Sequence, residues 1–122
     1  MKPETLIYDL AKQIIPARSQ KTVFFAGLTP TSQEVYFYAL IDGRYRQCYA
    51  LAEAGVLDAG RLTAVFAEIA AVLKDSKAYK ADKYNTAAVV IDKTGVKLIM
   101  EYHDLEAGRY QIHKAWKHTY IG

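Results

Sequence analysis

EVYFYALIDGRYRQCY, running from Glu34 to Tyr49, decides the fold of this chain. At its centre Asp42-Gly43 is a two-residue hairpin signal, because a type I′ turn needs positive φ at both loop positions and these two residue types tolerate it. The flanks are rich in β-branched and aromatic residues, as strands are. Counting outward from the turn pairs Ile41 with Arg44, Leu40 with Tyr45, Ala39 with Arg46, Tyr38 with Gln47, Phe37 with Cys48 and Tyr36 with Tyr49. Side chains alternate between faces, so Tyr36, Tyr38, Leu40, Tyr45, Gln47 and Tyr49 are expected on one side. Val35, Phe37, Ala39, Ile41 and Cys48 take the other, which is the simpler core under helices, with Arg44 and Arg46 emerging at its edge.

The neighbouring segments extend this hairpin in both directions. TVFFAGL precedes it as another strand, separated by the turn residues TPTS, and together the three make a meander. Upstream, Leu6, Ile7, Leu10, Ala11, Ile14 and Ile15 follow helical spacing between Pro3, suited to a first turn, and Pro16, suited to a stop. Downstream, Asp58 is placed to cap a helix whose stripe is Leu62, Val65, Phe66, Ile69, Val72 and Leu73. TAAVVID and VKLIMEYH then flank Lys93-Thr94-Gly95, which reads as a three-residue hairpin loop. A last helix is predicted from Glu106 onward. The expected architecture is one α+β domain over residues 1–122: an antiparallel sheet, made of a three-strand meander plus a hairpin, packed with about three helices.

At 122 residues the chain can build a core without staples. Its single cysteine, Cys48, has no partner for an intramolecular bridge, and a lone thiol fits a reducing compartment. The first twenty residues interrupt their apolar content with Lys2, Glu4, Asp9 and Lys12, unlike a signal peptide, and no apolar run reaches membrane-spanning length. A cytoplasmic protein without membrane contact is expected. Charge is uneven along the chain. Residues 1–73 balance seven basic against seven acidic side chains, so the whole excess of +3 lies in residues 74–122. It is sharpest in GRYQIHKAWKHTYIG, where Arg109, Lys114 and Lys117 stand with His113 and His118 and no acid. Such a segment meets phosphate or an acidic protein surface, or is a solvated helix face.

Chemistry-bearing clusters are sparse. His113 and His118 are five apart and turn away from each other on a helix, so no metal site is expected. Cys48 beside Phe37 reads as a small core residue rather than a nucleophile. Glu101 and His103 share a strand face and are the one acid–base pair, although alternating polar residues more often mark a wet side. Phosphate-loop and nucleophile-elbow motifs are lacking. No catalytic residue, metal or cofactor is therefore assigned, and the chain is read as a binding protein rather than an enzyme. Tyrosine's rigid apolar body and polar tip suit a partner surface. They also suit base stacking, which with the basic C-terminal helix gives the alternative of a single-stranded nucleic-acid-binding module. The signature of the aromatic RNA-recognition sheet has no counterpart here, which disfavours nucleic acid.

The order of segments resembles the YezG-like immunity protein family, the antitoxins of bacterial polymorphic and contact-dependent inhibition toxins. The resemblance covers most of the chain and rests on the helix ending near IIP, the EVYFYALIDGRY hairpin, the IDKTGVKLIMEYHDL hairpin and the terminal RYQIHKAWKHTYIG. It implies a cytoplasmic protein that neutralises a cognate toxin domain, often a nuclease, through a stoichiometric complex and without catalysis. Members are commonly acidic, whereas this chain is basic; that argues against mimicry of nucleic acid and for an acidic toxin surface or a tyrosine-centred interface. The expected contact regions are Tyr36, Tyr38, Tyr45 and Tyr49, or the basic tail through Arg109, Lys114 and Lys117. Trp116, at helical spacing from Ile112, is expected in the core.

Overall fold

The computed structural model describes residues 2–122 and has the α+β architecture expected. Its elements in chain order are α1 (Pro3–Ala11), β1 (Lys21–Leu28), β2 (Gln33–Ile41), β3 (Arg44–Gln47), α2 (Cys48–Glu53), α3 (Ala59–Lys74), α4 (Lys77–Lys80), β4 (Thr86–Asp92), β5 (Gly95–Glu101) and α5 (Leu105–Tyr120). The strands form one antiparallel sheet in the order β3-β2-β1-β4-β5. Meander and hairpin therefore merge, with β1 as the central strand.

Register explains how the sheet divides its residues between two layers. Phe24 lies opposite Phe37 on one neighbour and Val89 on the other, so all three point to one face. There α3 lays down the predicted stripe: Leu62, Val65, Phe66, Ile69 and Leu73 are buried, and the Phe66 ring stands edge-on to Phe24 and Phe37 at 6.4 and 6.1 Å. The Asp58 carboxylate accepts from the Arg61 N–H at 2.9 Å and caps the helix. α1 packs beside α3 on this face and reaches β5. On the opposite face Phe25 lies across from Tyr36 and Ala88, beneath α5. β1 is thus buried on both sides, which accounts for its continuous apolar run.

Both hairpin turns carry their own local chemistry. Asp42 and Gly43 take φ of 51° and 78°, as a type I′ turn requires. The second loop is shorter than expected: Gly95 already pairs with Asp92, leaving Lys93 and Thr94 as the loop. The Asp92 carboxylate accepts from the Thr94 hydroxyl at 2.5 Å and from the Thr94 N–H at 2.8 Å, and these bonds, the hydroxyl's first, hold its pKa below the ordinary carboxylate value.

The decisive hairpin departs from expectation at its far end. β3 stops at Gln47, so pairing ends at Tyr38–Gln47 and the anticipated Phe37–Cys48 and Tyr36–Tyr49 pairs do not form. The Gln47 side chain accepts from the Tyr49 N–H at 3.2 Å, capping a short helix. Ala50, Leu51, Ala52 and Glu53 are better helix than strand formers, and the helix lets Cys48 and Leu51 both reach the core. Cys48 is fully buried as expected, but at a helix start rather than mid-strand, and burial raises its thiol pKa.

Candidate functional site

α5 is the element that builds the site. Its residues Tyr110, His113, Lys114 and Lys117 recur at i, i+3, i+4 and i+7, which places them along one side of a helix. The adjoining stripe of Ile112, Trp116 and Tyr120 faces the sheet. Trp116 is the hub of this contact, with ring centroids 5.6 Å from Phe25, 5.5 Å from Tyr36, 6.0 Å from Tyr38 and 5.7 Å from Tyr120. The indole is half-buried, consistent with the expected packing role, yet its Nε1–H finds no acceptor among the described residues.

His113 fastens the helix to β2 by polar bonds. Its ring lies 4.6 Å from Phe25, its Nδ1 is 3.2 Å from the Tyr36 hydroxyl and its Nε2 is 3.4 Å from Glu34 Oε2. One neutral tautomer satisfies all three groups: Tyr36 donates to Nδ1, and Nε2–H donates toward Glu34. Burial is the main reason that the Tyr36 phenol is held far above the ordinary tyrosine range, with repulsion from Glu34 next and from Tyr38 and Cys48 after it. Tyr84, whose hydroxyl donates to the Leu73 carbonyl at 2.9 Å, is likewise raised by burial.

These shifts have a definite sign. The folded chain keeps phenolic protons that the unfolded chain releases, so this contribution is intact below the unfolded pKa of 10.0 and is lost as pH rises toward the folded values. Urea midpoints are expected to stay level to about pH 8, to fall first as the unfolded chain's Cys48 thiol ionises and then further above about pH 9.5 as its phenols do, with a shallower later fall in Tyr36→Phe. Level midpoints in strong alkali count against this account.

Beside His113 an open groove of about 430 Å³ runs between α5 and the β2–α2 edge. Its walls bring together the predicted Tyr36, Tyr38, Tyr49, Lys114 and Lys117, joined by Glu34, Gln47, Tyr110 and His113. The two contact regions expected separately are thus one surface. Lys117 Nζ sits 5.5 Å above the Tyr38 ring, which fixes a cation at the rim. Tyr49 joins the groove from α2 rather than from the sheet; its ring stands edge-on to Phe66 at 6.4 Å, and 48% of the residue is exposed. Tyr45 and Arg109 are not brought in. Tyr45 pairs with Leu40 on β3, and Arg109 stands just after the Gly108 kink, beside a small cleft near Gly27 and Ser32. Tyr110, His113 and Glu34 were not expected as site residues; the helical spacing of the first two with Lys117 was the available signal.

Glu101 and His103 do form a close pair, Nε2 to Oε2 at 2.8 Å, at the lip of a cavity of about 110 Å³ between α5 and the sheet. Three hydroxyls line that cavity: Thr86 donates to the Glu101 carbonyl at 3.1 Å, Thr119 donates to the Ala115 carbonyl at 2.9 Å, and the Tyr120 phenol is the third. The Glu101–His103 pair can accept and donate a proton at the mouth of the cavity. Among the described residues no cluster of three or more histidine, cysteine, aspartate or glutamate side chains is placed to hold a metal ion, and no helix is long and apolar enough to cross a membrane. Compared with known protein families and with curated proteins, the chain matches none.

Proposed function

We propose that the chain is an immunity protein that binds a cognate bacterial toxin domain of the nuclease class and neutralises it in a stoichiometric complex. One observation carries the reading: Tyr36, Tyr38 and Tyr49 converge with Lys114 and Lys117 on a single open groove. Rings already packed against His113 and Trp116 lose little freedom when a partner lands on their edges, which favours a stable protein complex. The lysines steer an acidic surface of the toxin toward that site. Inhibition by binding asks for no catalytic group. A buried lone thiol accords with action in the cytoplasm of the toxin-producing cell.

The test is a search for a toxin domain encoded beside this gene and co-expression with it; absence of any such neighbour counts against the proposal. Growth is expected to be restored by the wild-type chain and lost with Lys114→Glu/Lys117→Glu, the purified complex weakening by at least roughly tenfold. A neighbouring toxin that kills regardless of this protein sinks the proposal. The nucleic-acid reading keeps some support from exposed Tyr49 and Tyr110 beside the two lysines. Against it, Tyr36 and Tyr38 have neighbours in α5 where bases would need to stack. Salt-dependent anisotropy changes with labelled oligonucleotides would favour that alternative.

A further inference from the structure

The free edge of β5 is self-complementary, and we propose that it pairs antiparallel with β5 of a second copy to make a symmetric dimer with a continuous ten-stranded sheet. β5 ends the strand order, so among the described residues its outer edge meets no further strand. The other end of the sheet is blunted: β3 has only four residues and carries exposed Arg44 and Arg46. β5 is seven residues long and contains no proline, and pairs with β4 residue for residue without a bulge. An edge of this kind is an open template unless something covers it.

Backbone parity says which residues offer hydrogen bonds there. The Glu101 carbonyl accepts from the Asn85 N–H at 3.0 Å, so Glu101 directs its main chain toward the β4 side. Alternation then turns the N–H and C=O groups of Val96, Leu98 and Met100 outward. A two-fold pairing centred on Ile99 sets Leu98 against the partner's Met100 as a hydrogen-bonded pair, with Lys97 against the partner's Glu101 and Ile99 against its own mate as closer, non-hydrogen-bonded pairs. Each contact then matches apolar with apolar or cation with anion. Shifting the centre to Leu98 keeps the parity but sets Lys97 against isoleucine and Glu101 against glycine, so charge selects the Ile99 centre.

Exposed apolar surface collects along the same edge. Leu6 and Met100 are 37% and 38% exposed and line one shallow groove, and Tyr102, just past the strand, is 61% exposed. A two-fold axis normal to the sheet keeps both copies of α1 on one side, where the two Leu6–Met100 patches cover each other in an isologous contact. The toxin-binding groove lies at the β2–α2 end, so this inference stands independently of the proposed function.

Sedimentation velocity from micromolar to hundreds of micromolar protein tests it. The wild type is expected to move toward twice the 13.7 kDa chain mass as concentration rises. Lys97→Glu and Glu101→Lys each place like charges opposite one another twice per dimer and are expected to weaken it roughly tenfold, while the double exchange restores it. Met100→Pro removes an outward N–H without touching the β4 ladder and is expected to leave a folded monomer, checked by circular dichroism. A wild type that stays monomeric overturns the proposal. So does a dimer that the single reversals leave intact, or one that the double exchange fails to rescue.

Discussion

Phe24→Ala is expected to cost about 4 kcal/mol, a large share of the stability of a domain whose total is on the order of 5–15 kcal/mol. Phe24 is fully buried on the central strand. Its ring lies 4.9 Å from Phe37 and 6.4 Å from Phe66, so it joins β1, β2 and α3, while Val89 sits opposite it on β4. Truncation removes the apolar area of a benzyl group and leaves a cavity that strands locked on both sides are poorly able to close. In urea, with a slope of roughly 1–3 kcal/mol per molar, the midpoint should fall by about 2 M. Phe24→Leu, which keeps most of the volume, should lose only about 1 kcal/mol. Similar midpoints for the alanine variant and the wild type would show that the core is not centred here.

Trp116→Ala is the second large effect, and its character differs. The indole touches Phe25, Tyr36, Tyr38 and Tyr120, and loss of these contacts is expected to cost about 3 kcal/mol, less than a fully buried tryptophan because one side is open. α5 meets β1 and β2 through side chains, whereas β1, β2, β4 and α3 hold one another. The variant is therefore expected to open locally: α5 amides should exchange rapidly while those of β1 and β4 keep their protection. If the chain acts as proposed, toxin binding should fail with it, since the helix carries one wall of the groove. Trp116→Phe should be much milder, because it keeps an aromatic ring and deletes an N–H that has no acceptor among the described residues. Uniform loss of protection across the sheet would show instead that α5 folds as one unit with the core.

Much of the candidate site was legible in residue patterns, but its assembly was not. The tyrosines of the hairpin and the lysines of the tail each stood out by composition and spacing. Nothing local says that a helix beginning sixty residues after Tyr45 returns to lie over Tyr36 and Tyr38. Tyr49 shows the same limit at shorter range. Alternation extended the strand through it, yet the Gln47 cap and the helix-forming run after it turned the chain away. Cys48 and Leu51 are both buried by that turn, and burial of two core side chains outweighs two more pairs at a sheet edge.

What the residues determined by themselves is the local geometry: the Asp42-Gly43 turn with four registered pairs, the Asp58 cap and the buried stripe of α3, and the inward set Val35, Phe37, Ala39 and Ile41. Each depends on φ preferences, a side-chain cap or a period of side-chain direction, all set within a few residues. Only the tertiary structure decided that β4 docks against β1, that α5 covers the tyrosine face and that β5 is left as an open edge. Those outcomes depend on apolar area summed over segments far apart in the chain, and several arrangements of the same amphipathic pieces satisfy every local preference.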